Sequence, residues 1–187
     1  MRRADFDHLI ASAAIVVGQE EIVVVGSQAI LGNCADPPGE MLKSIEADLY
    51  PRRQPERSEE IDGSLGDGSP FHREYGFFAH GVGPETAKGP QGWEERLVAV
   101  DIPPRPGSRL VPVAYCMEAH DLVLAKCVAH RDRDWAFASS AISAGLVEPA
   151  ELLKRAEYLP IEQEHRAGLV RMLKATIERC RSGDGNG

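Results

Sequence analysis

Aromatic residues make up only 6% of this chain, and its four cysteines are scattered at positions 34, 116, 127 and 180. No C-x-x-C pair occurs, which argues against a zinc site, because zinc ligands favour closely spaced pairs. Cys34, Cys116, Cys127 and Cys180 therefore read as reduced, mostly packed thiols. Long hydrophobic runs are missing too. The stretch around Ile22–Val25 falls far short of the roughly 20 residues a membrane helix needs, so no membrane partner is expected. Met1–Asp7 carries acidic residues and no apolar stretch behind its arginines, unlike a secretory signal, and the expected location is cytoplasmic.

Positive charge is also short overall. A formal net charge of −8 excludes a generic nucleic-acid coat, which needs a basic surface. The cations that exist are concentrated late: Lys126, His130, Arg131 and Arg133 fall together, and Arg166, Arg171, Lys174, Arg179 and Arg181 decorate the last helical stretch. A local anion site stays open on that account. No G-K-[ST] follows Gly26-Ser27, so there is no P-loop, and the glycines of Gly63–Gly68 are in the wrong order for a dinucleotide fingerprint.

What the chain does contain is an α+β pattern followed by a helical half, in a length that suits one core with a helical appendage. Hydrophobic periodicity and breaker residues predict a helix over 4–17, a strand over Glu21–Val25 and a short helix starting at Ser27–Leu31. A loop follows at Asp36–Glu40, then a strand at Ser44–Tyr50 and a helix at Arg57–Leu65. Phe77–Val82, Arg96–Ile102 and Val111–Tyr115 read as strands, with a Gly- and Pro-rich mobile loop over Ala79–Trp93. From there helices are expected at 119–130, 133–144, 149–157 and 161–181. Three parts are therefore expected: a core over 1–116, a helical part over 117–181 that packs on it, and a disordered tail over 182–187.

Ser44–Tyr50, S-I-E-A-D-L-Y, is the most informative segment. On a strand Ser44, Glu46, Asp48 and Tyr50 point one way while Ile45, Ala47 and Leu49 point the other. Two carboxylates roughly 7 Å apart at Cα can then reach one cation. A solvent-washed strand with acidic decoration is the plainer reading. Against it, Asp and Glu are poor strand residues and like charges on one face repel. Bound Mg²⁺ would remove that repulsion. Upstream, Ile22–Val25 runs into Gly26-Ser27, where glycine permits close backbone approach and Ser27 either caps a helix or offers its hydroxyl and amide to a phosphate.

Together these two segments resemble the first motif of the DNA-polymerase-beta-like nucleotidyltransferase superfamily. The resemblance implies a small mixed β-sheet nucleotidyltransferase core with flanking helices, an α+β fold. It implies that Gly26, Ser27 and Ser44 bind the nucleotide and that Glu46 and Asp48 hold Mg²⁺ or Mn²⁺. Asp101, in the strand Arg96–Ile102, is the candidate third metal ligand; its plainer reading is a strand end before Pro103-Pro104. The gap between Ser27 and Ser44 is longer than the superfamily's usual spacing.

His120–Trp135, H-D-L-V-L-A-K-C-V-A-H-R-D-R-D-W, places Lys126, His130 and Asp134 on one stripe if the helix is continuous. Asp121 is a candidate cap, and an exposed face of i,i+4 ion pairs is the bland alternative. This layout resembles AbiEii/MenA-type toxin nucleotidyltransferases. It implies that Lys126 contacts the triphosphate, that Asp134 orients that lysine or an acceptor, and that Arg131 and Arg133 meet phosphate. The segments Phe71–Gly76, Gly92–Leu97 and His120–Lys126 are similar to an uncharacterised bacterial branch of the same superfamily. The implied activity is transfer of a nucleoside monophosphate from an NTP to an acceptor hydroxyl on RNA, tRNA or protein, with an antitoxin as partner if the protein is a toxin. A catalytically inactive nucleotide-binding or protein-interaction member is the competing reading.

Overall fold

The computed structural model describes residues 1–183, which fold as two compact units. The first comprises Met1–Ala87 and Arg96–Glu118; the second comprises Lys88–Glu95 and the stretch from Ala119 onward. The sequence pattern places a boundary at 116, whereas the chain passes into the second unit after Glu118. That pattern gives no sign that Lys88–Glu95 leaves the first unit and joins the second.

The first unit is built on five strands: β1 Glu21–Val25, β2 Glu46–Pro51, β3 Phe78–Gly81, β4 Val98–Asp101 and β5 Val113–Cys116. Their spatial order is β3-β2-β1-β5-β4. Pairing is mixed, with β1 antiparallel to β2 and parallel to β5, β2 parallel to β3, and β4 antiparallel to β5. Ile22–Val25 is buried along its whole length because β1 is the central strand, which explains its unbroken apolar run. Helix α1, Arg3–Val17, buries Phe6, Leu9, Ile10 and Val17, and α2, Ser58–Leu65, buries Ile61 and Leu65; α1 packs on β1, β2 and β3 and α2 on β2 and β3. A short helix α3, Pro70–Tyr75, was not expected. Ser69 caps it by accepting from the His72 amide at 3.1 Å, and Pro70 fits its first position.

The second unit contains α4 Ala119–Ala129, α5 Asp132–Ser143, α6 Pro149–Ala156 and α7 Gln163–Gly183. Helix α4 packs on α5 and α6, and both of these pack on α7. Leu122, Leu124, Ala138, Leu152 and Leu173 form its dry centre, each fully buried. The segment expected to be a mobile loop, Ala79–Trp93, is largely tied down. Its start is β3, Pro84–Thr86 forms a 3₁₀ turn, the Gln91 amide donates to the Tyr158 carbonyl at 2.9 Å, and Trp93 is buried. Ser182 and Gly183, assigned to the tail by sequence, belong to α7; 184–187 lie outside the described residues.

Candidate active site

Asp48 enters the site from β2 opposite Val25, the last residue of β1. One step further along the chain, Gly26 has φ 66° and ψ −167°, a conformation that is essentially glycine's alone. A Cβ on Gly26 would lie 2.0 Å from Asp48 Oδ2. The carboxylate is thus pressed on bare backbone, and the turn and the acidic strand meet. Ser27 opens a 3₁₀ turn, Ser27–Gly32, whose cap position is filled by Gly26 with no side-chain cap bond. Ser27 is therefore not the plain N-cap of its bland reading.

Glu46 sits two residues before Asp48 on the same face, while Ala47 and Leu49 are buried on the other. Strand β2 begins at Glu46 rather than at Ser44, and the Ser44 hydroxyl is committed to Glu46, donating to its carbonyl at 3.0 Å and accepting from its amide at 3.2 Å. Ser44 therefore shapes the start of the strand, and its hydroxyl is engaged with backbone instead of being presented to a nucleotide. Ile45, expected on the packed face, is 49% exposed, since it precedes the strand. Gln28 is fully buried and donates to the Ser44 carbonyl at 3.1 Å, tying the Gly-Ser turn to the acidic strand. Sequence reading passed over Gln28 because a lone glutamine in a short turn carries no pattern.

His80 completes the group. It pairs in register with Asp48 across the parallel β2–β3 ladder, and its Nδ1 lies 3.2 Å from Glu46 Oε1 and 3.2 Å from Asp48 Oδ1. One ligand atom from each of Glu46, Asp48 and His80 falls within 4.8 Å of the others. Strand β3 is held at that position through Gly81, whose amide donates to Asp62 Oδ1 at 3.2 Å and whose α-carbon faces the Ser58 carbonyl so closely that a Cβ would lie 2.0 Å from it. Burial, then the neighbouring Asp48 charge, pushes the Glu46 carboxyl above its ordinary value, with His80 opposing both. A cation placed among these three would relieve that penalty. Two hard carboxylate oxygens and one imidazole nitrogen are a donor set that fits a divalent ion.

Asp101 does not join them. Its register partner Val113 aligns with Glu21, whereas Asp48 aligns with Val25, and β4 is the far edge strand. Three strand spacings across and four residues along the sheet put Asp101 about 19 Å from Asp48 at Cα. The expected third carboxylate is replaced by a histidine on the opposite neighbour of β2. Sequence alone offered Asp101 because it is the acidic strand residue, and could not reveal that β4 lies on the wrong edge.

In the helical unit, the predicted stripe of Lys126, His130 and Asp134 does not exist, because the helix breaks. His130 has φ 58°, the one non-glycine residue with positive φ among the described residues, and it separates α4 from α5. The break brings Lys126 and Asp134 together by folding rather than by helical spacing. Asp134 is 1% exposed; its carboxylate accepts from Lys126 Nζ at 3.4 Å and from Arg131 Nε and Nη2 at 2.6 and 3.2 Å. Burial alone would raise its pKa, but the Arg131 hydrogen bond and the Lys126 charge hold it below the ordinary value. Lys126 also lies 5.3 Å from the centre of the Phe137 ring, and Arg133 is exposed. Asp121 is not a cap: it is fully buried in the first turn of α4 and accepts from Arg155 Nη1 at 3.0 Å.

A protein-family model described as "Nucleotidyltransferase of unknown function (DUF6036)" matches residues 5–167, which include β1, the Gly-Ser turn, β2, β3 and the first three helices of the second unit. No curated protein and no solved structure matches the chain.

Proposed function

The chain belongs to this nucleotidyltransferase family, and from that premise we propose that it transfers a nucleoside monophosphate from an NTP to an acceptor hydroxyl, the hydroxyl oxygen bonding the α-phosphorus as the α–β bond breaks and pyrophosphate and a proton leave. The observation that carries the reading is the Asp48 carboxylate packed on the Gly26 backbone, with Glu46 and His80 converging on the same point. Glu46 and Asp48 would hold Mg²⁺ or Mn²⁺. A divalent cation there supplies charge neutralisation for the triphosphate and acidifies the attacking hydroxyl. The chain's own contribution is positioning. Gly26 lets the phosphates approach the backbone, and the Ser27 amide and hydroxyl orient them. Within the helical unit, Asp134 orients the Lys126 ammonium, and Arg131 and Arg133 are auxiliary cations.

Incubation with each α-labelled NTP, a divalent cation and either total RNA or candidate proteins tests the reaction and its acceptor together. Label transferred by the native chain and lost by at least about 100-fold in Asp48→Ala is the expected result. Equal transfer by both chains removes Asp48 from the chemistry. Label on RNA 3′ ends and growth arrest on induction, relieved by a co-expressed neighbour gene, is what a toxin of a toxin–antitoxin pair gives; label on protein assigns the acceptor to a side-chain hydroxyl.

A further inference from the structure

We propose that His80 is the third protein ligand of the metal site and that the site consequently prefers Mn²⁺ to Mg²⁺. This rests on the reading of Glu46 and Asp48 as metal ligands and adds the identity of the ion.

Three observations carry it. The nitrogen that His80 presents to both carboxylates is Nδ1, at 3.2 Å from an oxygen of each. Adjacent ligands of an octahedral ion with bonds of about 2.1 Å are about 3.0 Å apart, so Nδ1 already stands from each carboxylate oxygen at close to the spacing of neighbouring ligands, and all three ligand atoms lie within 4.8 Å of one another. His80 is not a wandering surface side chain either. Its backbone is in register with Asp48, and the next residue, Gly81, is clamped between the Ser58 carbonyl and the Asp62 carboxylate. The described residues contain no other group of three or more His, Cys, Asp or Glu side chains close enough to share an ion.

The preference follows from the donors. Mg²⁺ is bound by oxygens and keeps its water tenaciously, whereas Mn²⁺, the first of the divalent transition-metal affinity series, shares its oxygen ligands and gives up water for an imidazole nitrogen more readily than Mg²⁺ does. Two carboxylates and a neutral imidazole also carry a charge of −2, matching one divalent ion, where a third carboxylate would carry one charge more. Asp101 would have been that carboxylate, and it stands across the sheet.

Binding of Mn²⁺ and of Mg²⁺ to the full chain, followed by calorimetry and by the loss of the free Mn²⁺ resonance, gives the test, together with pulsed resonance for ¹⁴N coupled to bound Mn²⁺. The native chain is expected to bind Mn²⁺ more tightly than Mg²⁺ and to show the nitrogen coupling. His80→Ala should weaken Mn²⁺ by about 10–100-fold, change Mg²⁺ far less and abolish the coupling. His80→Asp should restore Mg²⁺ binding relative to Mn²⁺. Because His80 is half exposed on an edge strand, both variants should keep the native circular dichroism. Mn²⁺ bound without nitrogen coupling, and unaffected by His80→Ala, overturns the inference while leaving Glu46 and Asp48 as ligands. Mn²⁺ binding that survives Asp48→Asn unchanged, or no binding at all, overturns both.

Discussion

Glu46 carries a charge that is held at a cost without a cation, since its surroundings are partly dry and Asp48 lies beside it. A carboxyl whose folded pKa is raised adds most to stability while protonated, and that contribution is lost as pH climbs through the raised value. The Glu46 contribution to the stability of metal-free protein should therefore fall as pH rises from about 4.5, and Glu46→Gln should remove that component of the pH dependence. Thermal unfolding at neutral pH checks this. A gain of about 1–2 °C is expected for Glu46→Gln, small because a carboxylate 41% exposed is screened by water. Asp134 has the opposite sign. Its lowered pKa contributes stability that is present above pH 3.8 and lost as pH falls through the lowered value. Asp134→Asn removes the buried carboxylate charge that Lys126 and Arg131 share and should cost about 3 kcal/mol in urea unfolding. His80 was not legible at this scale, because it depends on strand register; the Lys126–Asp134 pairing was implied by the resemblance, but it is made through the chain reversal at His130 and not along one continuous helix.

At the scale of elements, local patterning did well wherever one face is buried. Helix α1, strand β1 and helix α2 fall within a residue or so of their expected bounds, because apolar periodicity reports burial directly. Strand order is another matter. Glu46 and Asp48 were readable as a pair from alternation alone, yet which neighbour strand faces them is fixed by the pairings β2–β3 and β1–β5, which no local window contains. That is why a strand aspartate was favoured over a histidine placed inside an apparent loop. The helix break at His130 escaped for a related reason: no glycine or proline marks it. Two glycines can be tested at this scale. Gly81→Ala would drive β3 off α2 and should destabilise the protein by about 1–3 kcal/mol while weakening Mn²⁺ binding. Gly26→Ala must both enter a glycine conformation and displace the Asp48 carboxylate, so metal binding should fall more steeply than stability, as calorimetry and unfolding on the same sample can separate.

Across the whole molecule, the cysteines give a check on both units at once. Burial pushes the Cys116 and Cys127 thiols up to about 12, one in each unit, so neither supplies thiolate near neutral pH. A thiol reagent should label Cys34 and Cys180, which are partly exposed, and reach the other two only on unfolding. Labelling of all four at the same rate in native buffer would contradict the burial of both cores. The turn to an all-helical pattern after Glu118 is visible in the sequence, because the apolar spacing there changes period. The excursion of Lys88–Glu95 is not, because glycine and proline there look like ordinary loop punctuation while Trp93 is the anchor.

That excursion bears on how the chain is made. Emerging from the ribosome, the 88–95 stretch precedes its helical unit and also interrupts the sheet before β4 and β5 exist. The carbonyl that receives the Gln91 amide belongs to Tyr158, which at ordinary translation speeds appears roughly 3–13 s later. For that interval the 88–95 stretch lacks this acceptor, and newborn chains stalled before residue 158 should be the ones that chaperones retain.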